Sequence, residues 1–435
     1  MTPDALAILL LAVLFLLLGS GIWIALSLIG VGAVGMMLFS SAPIGKVMAT
    51  TVFSSSNSWA LTSLPLFIWM AEILFRTRLS EDMFKGLAPW VTRLPGRLIH
   101  VNIVGCGIFA AVSGSSAATC VTIGKMSLPE LMRRGYDERM AIGSLAGSGT
   151  LGLMIPPSIM MIVYGLVAEV SIARLFIAGV VPGIMLVLLF MGYVIAWALL
   201  NPHKVPPNDI TMSMSEKLYN SRRLIPVVML IFAVIASIYA GYATPTEAAA
   251  IGVLGSLGIA VLTRTFTWAN FADGLMGATR TSCMITLILA GAAFLAVAMG
   301  FTGLPRRLAT EVASWQLSVF MLLVALTALY VILGCFLDGI SMVVLTTSVV
   351  QPLVIQAGID VVWYGIFIVL VVEMAQITPP VGFNLFVLQG MTGRNIFYVA
   401  RASIPFFLIL GLAIAIIGAF PQLVTFLPNH VLSRG

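Results

Sequence analysis

The sequence predicts an all-α polytopic membrane protein, and three observations support this fold class. The chain has 435 residues, of which 60% are hydrophobic and only 9% are charged. Because soluble domains carry about 25% charged residues, this chain has too little polar surface to cover a water-soluble globule. Apolar stretches close to the length that crosses a bilayer, about 20 residues, recur along it. Landmarks of the first half also recur in the second half at a constant spacing.

The clearest apolar stretches predict helices that cross the membrane. They occupy residues 5–18, 21–39, 224–240, 248–262 and 406–420. Strands of a transmembrane β-barrel alternate apolar and polar residues, and these continuous stretches do not. The sequence therefore favours helical spans.

Neither the charged residues nor the cysteines indicate nucleic-acid binding, a metal site or a disulfide. The net charge is +6, but the basic residues flank apolar segments, as in topology signals, and form no clustered face that would bind nucleic acid. The cysteines lie in apolar surroundings without Cys-x-x-Cys spacing, so we expect small core residues rather than metal ligands or disulfides. They are Cys106, Cys120, Cys283 and Cys335.

An internal repeat is visible as one ungapped offset of 223 residues. The pair Pro156-Pro157 corresponds to Pro379-Pro380 at this offset. The same offset relates Pro129 to Pro352, Pro182 to Pro405, Gly135 to Gly358, Asp137 to Asp360, Gly32 to Gly255 and Gly35 to Gly258. Self-similarity at a fixed spacing is the signature of repeated units. We therefore predict a first repeat over 1–223 and a second over 224–435.

A re-entrant hairpin is predicted in each repeat. The apolar stretch 96–133 is too long for one crossing, and serines and a glycine at 113–116 interrupt it, which makes a poor helix interior. We expect a hairpin at about 98–132 that turns at these residues. Its counterpart is predicted at about 321–355, with its turn at 337–341.

The predicted topology is two repeats in opposite orientations. Each has three spans, a hairpin, a broken span (about 140–168 and 365–391) and a final span, giving about ten transmembrane helices plus two hairpins. Five crossings per repeat is an odd number, so the second copy must be inverted. With both termini outside, most of the 22 Lys and Arg residues fall on the inner side, as the positive-inside rule requires.

The interruptions predict where ligands bind. Two consecutive prolines remove two N–H donors and free the carbonyls one turn earlier, and free carbonyls with hydroxyls suit a cation such as Na⁺. Half-helix N-termini at the same turns suit an anion. Interrupted helices in inverted repeats indicate the binding site of a secondary transporter, although a single Pro-Pro pair is equally compatible with a simple kink.

Several polar residues near the interruptions have alternative interpretations. Asp338 is the ionisable residue that we expect deepest in the membrane; it either faces the substrate or caps the outgoing arm of its hairpin. Glu373 has a structural or a functional role. Glu247 is interpreted as the first acid of a helix, and Asn384 as a residue that reaches the cavity.

Other function classes fit the sequence less well. A P-loop for an ATP-driven pump is absent, because Gly124-Lys125-Met126 lacks the required Ser or Thr. An intramembrane serine hydrolase would need a histidine base, and the histidines lie near ends or loops. Half-spanning hairpins in inverted repeats suit alternating access better than an open channel. We therefore expect no enzyme activity.

The motifs around these interruptions resemble one family over nearly the whole chain. They are 113–119 (SGSSAAT), Pro129 with Gly135-Tyr136, Ile155-Pro156-Pro157-Ser158, Leu175-Phe176 with Gly179 and Pro182-Gly183, 244–249 (TPTEAA) and 377–385 (ITPPVGFNL). Together they are similar to the large membrane subunit of tripartite ATP-independent periplasmic (TRAP) transporters, the DctM-like subunit.

The resemblance implies a Na⁺-driven importer of organic acids in the inner membrane of a bacterium or archaeon, with an elevator-type mechanism. Substrates implied are C4-dicarboxylates, sialic acid and related carboxylates. A separate small membrane subunit (DctQ-like) and a periplasmic substrate-binding protein (DctP-like) are the implied partners, and Na⁺ is the coupling ion with no other cofactor. The alternative is a stand-alone Na⁺/dicarboxylate symporter, or another ion-transporter-superfamily symporter, that needs no binding protein.

The resemblance also implies specific ligands at the unwound turns. One sodium site would be formed by Ser113, Ser115, Gly152 and Ile155, and the other by Gly334, Ala375, Thr378 and Val381. The substrate would contact Ser116, Ser158, Asp338 and Asn384.

Overall fold

The structure, a computed structural model, describes residues 3–207, 212–380 and 382–431. Every regular element in these ranges is helical, and no strand occurs among them. This confirms the all-α class.

The first half begins with spans and continues into a hairpin and a broken helix. Its helices are α1 (Pro3–Gly19), α2 (Ile24–Phe39), α3 (Ile44–Ser56), α4 (Ser63–Phe75), α5 (Leu79–Val91), α6 (Ile99–Ser113), α7 (Ser116–Arg133), α8 (Glu138–Met154), α9 (Ile159–Val167) and α10 (Ile172–Leu200), with the short α11 (Met214–Ser221) in the connector between the halves.

The second half has the same order of elements. Its helices are α12 (Ile225–Tyr239), α13 (Pro245–Leu262), α14 (Trp268–Thr302), α15 (Leu304–Ser314), α16 (Val319–Leu333), α17 (Gly339–Gln356), α18 (Val361–Gln376), α19 (Phe383–Thr392), α20 (Ile396–Ala419) and α21 (Gln422–Val431). Short 3₁₀ turns lie at Trp59–Thr62, Pro202–Lys204 and Arg222–Leu224.

The apolar helices are numerous enough for a multi-pass membrane protein. By length and composition, six of the described helical segments are able to cross a membrane, and eight if each bent pair counts as one span. The bent pairs are α3 with α4, at 57°, and α8 with α9, at 44°. Shorter apolar helices include α2, α6, α16 and α18. The count of ten crossings remains a prediction.

Helix boundaries in the two halves correspond at the offset of 223. Ser116, the first residue of α7, matches Gly339, the first residue of α17. Asp137 and Asp360 match as N-caps: Asp137 accepts from the Met140 N–H at 2.9 Å and Asp360 from the Trp363 N–H at 2.8 Å. An Asp N-cap satisfies an otherwise unpaired N–H of the first turn, which is why both broken helices begin where they do.

Packing partners are exchanged between the halves. Helix α9 packs on α17, and its counterpart α19 packs on α7. Helices α10 and α20 each pack on both broken helices, α8 and α18. This exchange is consistent with two related units around a two-fold axis, and the opposite orientation of those units in a membrane remains a prediction.

The broken helices α8 and α18 form the centre of the molecule. All residues from Met140 to Met154 are buried, as are those from Trp363 to Ala375. Glycines let α8 approach its neighbours closely: a Cβ built on Gly143 would lie 2.2 Å from the carbonyl oxygen of Ala402 on α20. Around this core, α2 packs on α14 and α4 packs on α13.

The structure tests the predictions made for Glu247 and for the four cysteines. Glu247 is confirmed as a helix-start acid, because it forms a capping box with Thr244 at the start of α13. Cys106 and Cys120 are buried as expected. The prediction was wrong for Cys283, which is exposed because it lies on an outward face of α14. Cys335 is only half-buried, because it lies in the turn between α16 and α17.

Candidate functional site

The first hairpin turn packs directly against the first helix break. The Ile159 N–H at the start of α9 donates to the carbonyl of Gly114 at 3.3 Å. Gly114 joins α6 to α7 with φ of 58°, a left-handed conformation that glycine adopts without strain. A Cβ built on Gly152 would lie 2.4 Å from the carbonyl oxygen of Ser115. Only a glycine therefore allows α8 to approach the turn this closely.

Oxygen atoms converge at this turn. The hydroxyls of Ser113 and Thr119 are 2.5 Å apart, and Ser113 Oγ lies 3.3 Å from the Ser115 carbonyl. Gly152 is four residues before Pro156, which has no N–H to donate, so its carbonyl lacks the normal helical partner. Hard oxygens of this kind fit Na⁺. Ile155 is the C-cap of α8, three residues after Gly152. Thr119, which is fully buried, was missed in the sequence; its position four residues after Ser115 was the available signal.

Ser158 is occupied with local hydrogen bonds on the far side of the break. Its hydroxyl donates to the Leu153 carbonyl and accepts from the Met161 N–H at 3.3 Å, which caps α9. Ser158 is fully buried. The peptide bond between Pro156 and Pro157 is cis, as is that between Pro379 and Pro380.

The second hairpin turn packs on the second break in a related way. A Cβ built on Gly334 would lie 2.3 Å from the Ala375 Cβ. The Cys335 thiol lies 3.5 Å from the Pro379 carbonyl. Within the break, the Thr378 N–H donates to the Ala375 carbonyl at 3.1 Å. Three of the four predicted ligands of the second sodium site are thus brought together with carbonyl and hydroxyl oxygens; the fourth, Val381, lies outside the described residues.

Asp338 caps the second hairpin's outgoing arm. Its carboxylate accepts from the Ile340 and Ser341 N–H groups at 3.1 and 3.2 Å, and also from the Ser341 hydroxyl. The side chain is exposed. The capping alternative is therefore observed, and a substrate contact for the same carboxylate remains a prediction.

Glu373 is a fully buried acid that joins the two halves. Its carboxylate accepts from the Ser116 hydroxyl at 3.1 Å and from the Leu153 N–H at 3.0 Å. Across the described ranges, no Lys, Arg or His makes an ion pair with it. The sequence left its role open, because its partners are more than 200 residues away in the chain. Ser116 is thereby engaged by protein in this conformation.

Asn384 is buried at the start of α19 with unsatisfied polar atoms. Neither its amide oxygen nor its amide nitrogen has a hydrogen-bond partner within the described part of the chain. Buried polar side chains are nearly always hydrogen-bonded, so this amide is suited to binding a water or a ligand group. The predicted substrate residues therefore divide into Ser116, Ser158 and Asn384, which are buried, and Asp338, which is exposed.

The hairpin turn and helix break of the first half also contact those of the second half. A Cβ built on Gly339, at the second hairpin turn, would lie 2.8 Å from Met160 Cε of α9 and 3.0 Å from Gln376 Nε2. All four interruptions predicted from the sequence are thus linked in one contiguous region. At its edge, Arg394 forms a two-pronged ion pair with Glu138 at 2.8 Å, which joins the start of α8 to the segment before α20.

Residues 9–423 match the family described as "Tripartite ATP-independent periplasmic transporter, DctM component". A C4-dicarboxylate TRAP transporter large permease protein DctM of Pseudomonas aeruginosa is 31% identical over 399 residues, covering 92% of each chain. An isethionate TRAP transporter permease protein DctMQ of Oleidesulfovibrio alaskensis is 30% identical over 90% of this chain, which spans 61% of that protein's length.

Solved structures support the fold. The YdaH transporter of Alcanivorax borkumensis superposes with a TM-score of 0.58 at 12% identity, over 91% of this chain and 95% of its own. At this identity the similarity concerns the fold alone. The family match over almost the entire length is the stronger finding, and the relatives above are transporter permeases rather than enzymes. This multi-pass membrane protein belongs to the DctM family of large permease subunits of TRAP transporters.

Proposed function

We propose that this chain is the Na⁺-coupled transport subunit of a tripartite importer of small organic acids. The observation that carries the proposal is that two Pro-Pro helix breaks each pack against a hairpin turn, in a member of the DctM family. Such interrupted helices provide backbone carbonyls and helix N-termini at membrane depth.

The oxygen atoms at these turns support Na⁺ as the coupling ion. The first site would use Ser113, Ser115, Gly152 and Ile155, and the second Gly334, Ala375, Thr378 and Val381. Thr119 would join the first site, since its hydroxyl contacts Ser113. Carbonyl and hydroxyl oxygens, rather than sulfur or imidazole, are ligands that hard monovalent ions accept.

The substrate class rests on helix N-termini and on the relatives. Ser116, Ser158, Asp338 and Asn384 lie at or near N-termini of α7, α9, α17 and α19, and such ends favour anionic groups. Two of the relatives are named for C4-dicarboxylates and for isethionate, which are small organic anions. A bound Na⁺ would add positive charge beside the substrate.

Transport would follow an elevator motion of the hairpins and broken helices against a scaffold. The scaffold would comprise α1–α4 and α12–α14, whose contacts with the moving part include α4 with α9 and α14 with α17. Two inverted repeats are able to adopt two equivalent arrangements. In one the substrate site opens to the periplasm, and in the other it opens to the cytoplasm.

The partners would be a DctQ-like small membrane subunit and a DctP-like periplasmic binding protein. One relative is named as the permease protein DctMQ, and this chain spans 61% of its length, so we propose a DctQ-like partner for this chain as well. The complex would lie in the inner membrane with both termini of this chain on the periplasmic side.

Reconstituted transport tests the proposal. Proteoliposomes containing this chain and its small subunit are given a labelled organic acid, with or without the cognate binding protein, in an inward Na⁺ gradient or in choline. Uptake is expected only with both Na⁺ and the binding protein. Uptake that needs ATP would contradict the proposal, and Na⁺-driven uptake without the binding protein would support the stand-alone symporter instead.

A further inference from the structure

The strongest unassigned feature is the contact of Glu373 with the first half of the chain. Glu373 is on α18, in the second half, and is 0% exposed. Two groups that donate hydrogen bonds to it, the Ser116 hydroxyl and the Leu153 N–H, are 257 and 220 residues away in sequence. Burying a carboxylate costs several kcal/mol unless it is well partnered, so a purely incidental acid is not expected here.

The partners of Glu373 both belong to the surroundings of the first predicted ion site. Ser116 directly follows Ser115, and Leu153 directly follows Gly152. On its own helix, Glu373 lies two residues before Ala375, a predicted ligand of the second site. The Glu373 carboxylate therefore contacts residues beside the first predicted ion site, whereas its own helix, α18, contributes to the second.

The offset of the repeat places this contact where the two broken helices meet. Glu373 corresponds to Thr150 at a separation of 223, and the Ser116 hydroxyl lies 3.3 Å from the Thr150 carbonyl as well as 3.1 Å from Glu373. Equivalent positions of α8 and α18 are thus adjacent through Ser116. A displacement of either helix at this point is transmitted to the other.

We propose that Glu373 is a positioning residue that couples the two ion sites by hydrogen bonding across the two halves. The inference rests on the proposed function, because it needs ions at both sites. Ion binding beside Gly152 would hold Leu153 and Ser116, which hold Glu373 and thereby α18 near Ala375. Na⁺ activation is then cooperative, and the cooperativity depends on this contact.

The variants separate hydrogen bonding from charge. Glu373→Gln keeps both contacts, since the amide oxygen accepts from the Leu153 N–H and the amide nitrogen donates to Ser116 Oγ. Glu373→Ala removes both. Ser116→Ala removes one bond and leaves the other, and it is used if Glu373→Ala is not stable.

Two measurements are made on each purified variant. The first is the Na⁺-dependent rise of the unfolding temperature in detergent, without substrate or binding protein. The second is the Na⁺ dependence of uptake in the complete reconstituted system. We expect Glu373→Ala to lower the Hill coefficient to about 1 and to raise half-saturating Na⁺ by about tenfold, within the range of site-to-site coupling energies, whereas Glu373→Gln retains cooperativity. In the thermal measurement, Ser116→Ala should lose part of the Na⁺ cooperativity, less than Glu373→Ala does.

The outcomes are separable from failure of the proposed function. If the unaltered protein shows neither Na⁺ stabilisation nor Na⁺-driven uptake, the proposed function is wrong and the coupling falls with it. If it is cooperative and Glu373→Ala, or Ser116→Ala in its place, stays equally cooperative, only the coupling role is overturned. An equal loss in Glu373→Gln and Glu373→Ala would show that charge, and not positioning by hydrogen bonds, is what matters.

Discussion

The two hairpin–break assemblies have the same design but differ in burial and chemistry. The first assembly comprises residues 113–119 and 147–158, and the second comprises residues 334–341 and 375–382. In the first, Ser115 and Ile155 are half-buried and the predicted ligand Gly152 is buried. In the second, Asp338 and Pro380 are exposed. The assembly exposed in this conformation is therefore the second.

The residues that cap the outgoing arms of the two hairpins differ in charge, in line with this difference in burial. Ser115 caps α7 and Asp338 caps α17, at equivalent positions. A neutral hydroxyl is compatible with the more buried turn, whereas an ionised carboxylate is costly to bury and is tolerated where it is exposed. The two copies of the repeat thus share their backbone geometry, while the polar groups of each copy fit its own surroundings.

The close contact inside each assembly is also made differently. In the first, Gly152 of the broken helix approaches the backbone of the hairpin turn. In the second, Gly334 of the hairpin approaches the methyl group of Ala375 on the broken helix. The Ala375 Cβ is as fixed as backbone, but it is a single methyl that a substitution removes. A Cβ on Gly152 would instead meet three backbone atoms of Ser115 and Ser116 within 2.7 Å, so the first contact is the more restrictive one.

The largest effect is expected for Gly152→Ala. Its Cβ would lie 2.4 Å from a backbone oxygen, and overpacking a buried site costs about 1–3 kcal/mol or more, so we expect loss of uptake and a clearly lower unfolding temperature in detergent. Gly258→Ala is the matched control, because its added methyl would meet no atom within 4 Å. Wild-type behaviour of Gly152→Ala would show that the contact is not restrictive.

Gly334→Ala should have a smaller and reversible effect. The added methyl would lie 2.3 Å from the Ala375 Cβ, so stability and uptake should fall. Combining it with Ala375→Gly moves the methyl from one helix to the other and should restore most of the lost unfolding temperature. Failure of the double variant to recover would indicate that the two assemblies are equally restrictive.

Asp338→Ala is expected to abolish uptake without loss of expression. The change removes both the cap and the exposed carboxylate, whereas Asp338→Asn keeps a good capping residue and loses the charge. Asp360→Ala is the control, since it removes the N-cap of α18 at a cost of about 1 kcal/mol without touching either assembly. Initial uptake rates are measured at equal protein. Full activity of Asp338→Ala would leave this carboxylate only a capping role.

The smallest perturbation tests the orientation of the two halves. Gly135 and Gly358 are both exposed, with φ of 78° and 73° and open space around them. A single cysteine at either position, in a background without native cysteines, should cost about 1–2 kcal/mol for the left-handed backbone. We expect labelling by a membrane-impermeant reagent from the cytoplasm at Gly135→Cys and from the periplasm at Gly358→Cys. Labelling of both from one side would contradict inverted repeats.

Much of the fold was predictable because its signals are local. Long apolar stretches, proline pairs and serine-rich turns act within one helical turn of where they occur, and the structure has helix ends at 113, 154, 333 and 376. The bend between α3 and α4 was not anticipated, and its counterpart α14 is continuous. The polar run SSSNS at 54–58, followed by Pro65, was the available signal for that bend.

The sequence by itself determined the helical class and the transporter family. It also determined the two kinds of interruption, hairpin turns and Pro-Pro breaks, and the offset of 223 residues that relates their copies. These follow from backbone chemistry, in which prolines lack a donor and glycines permit close approach. Only the tertiary structure decided that Glu373 joins Ser116 and Leu153, that Thr119 faces Ser113, that Asn384 is unsatisfied and that Asp338 is exposed. Burial and partnership depend on segments far apart in the chain, and no local pattern records which of them meet.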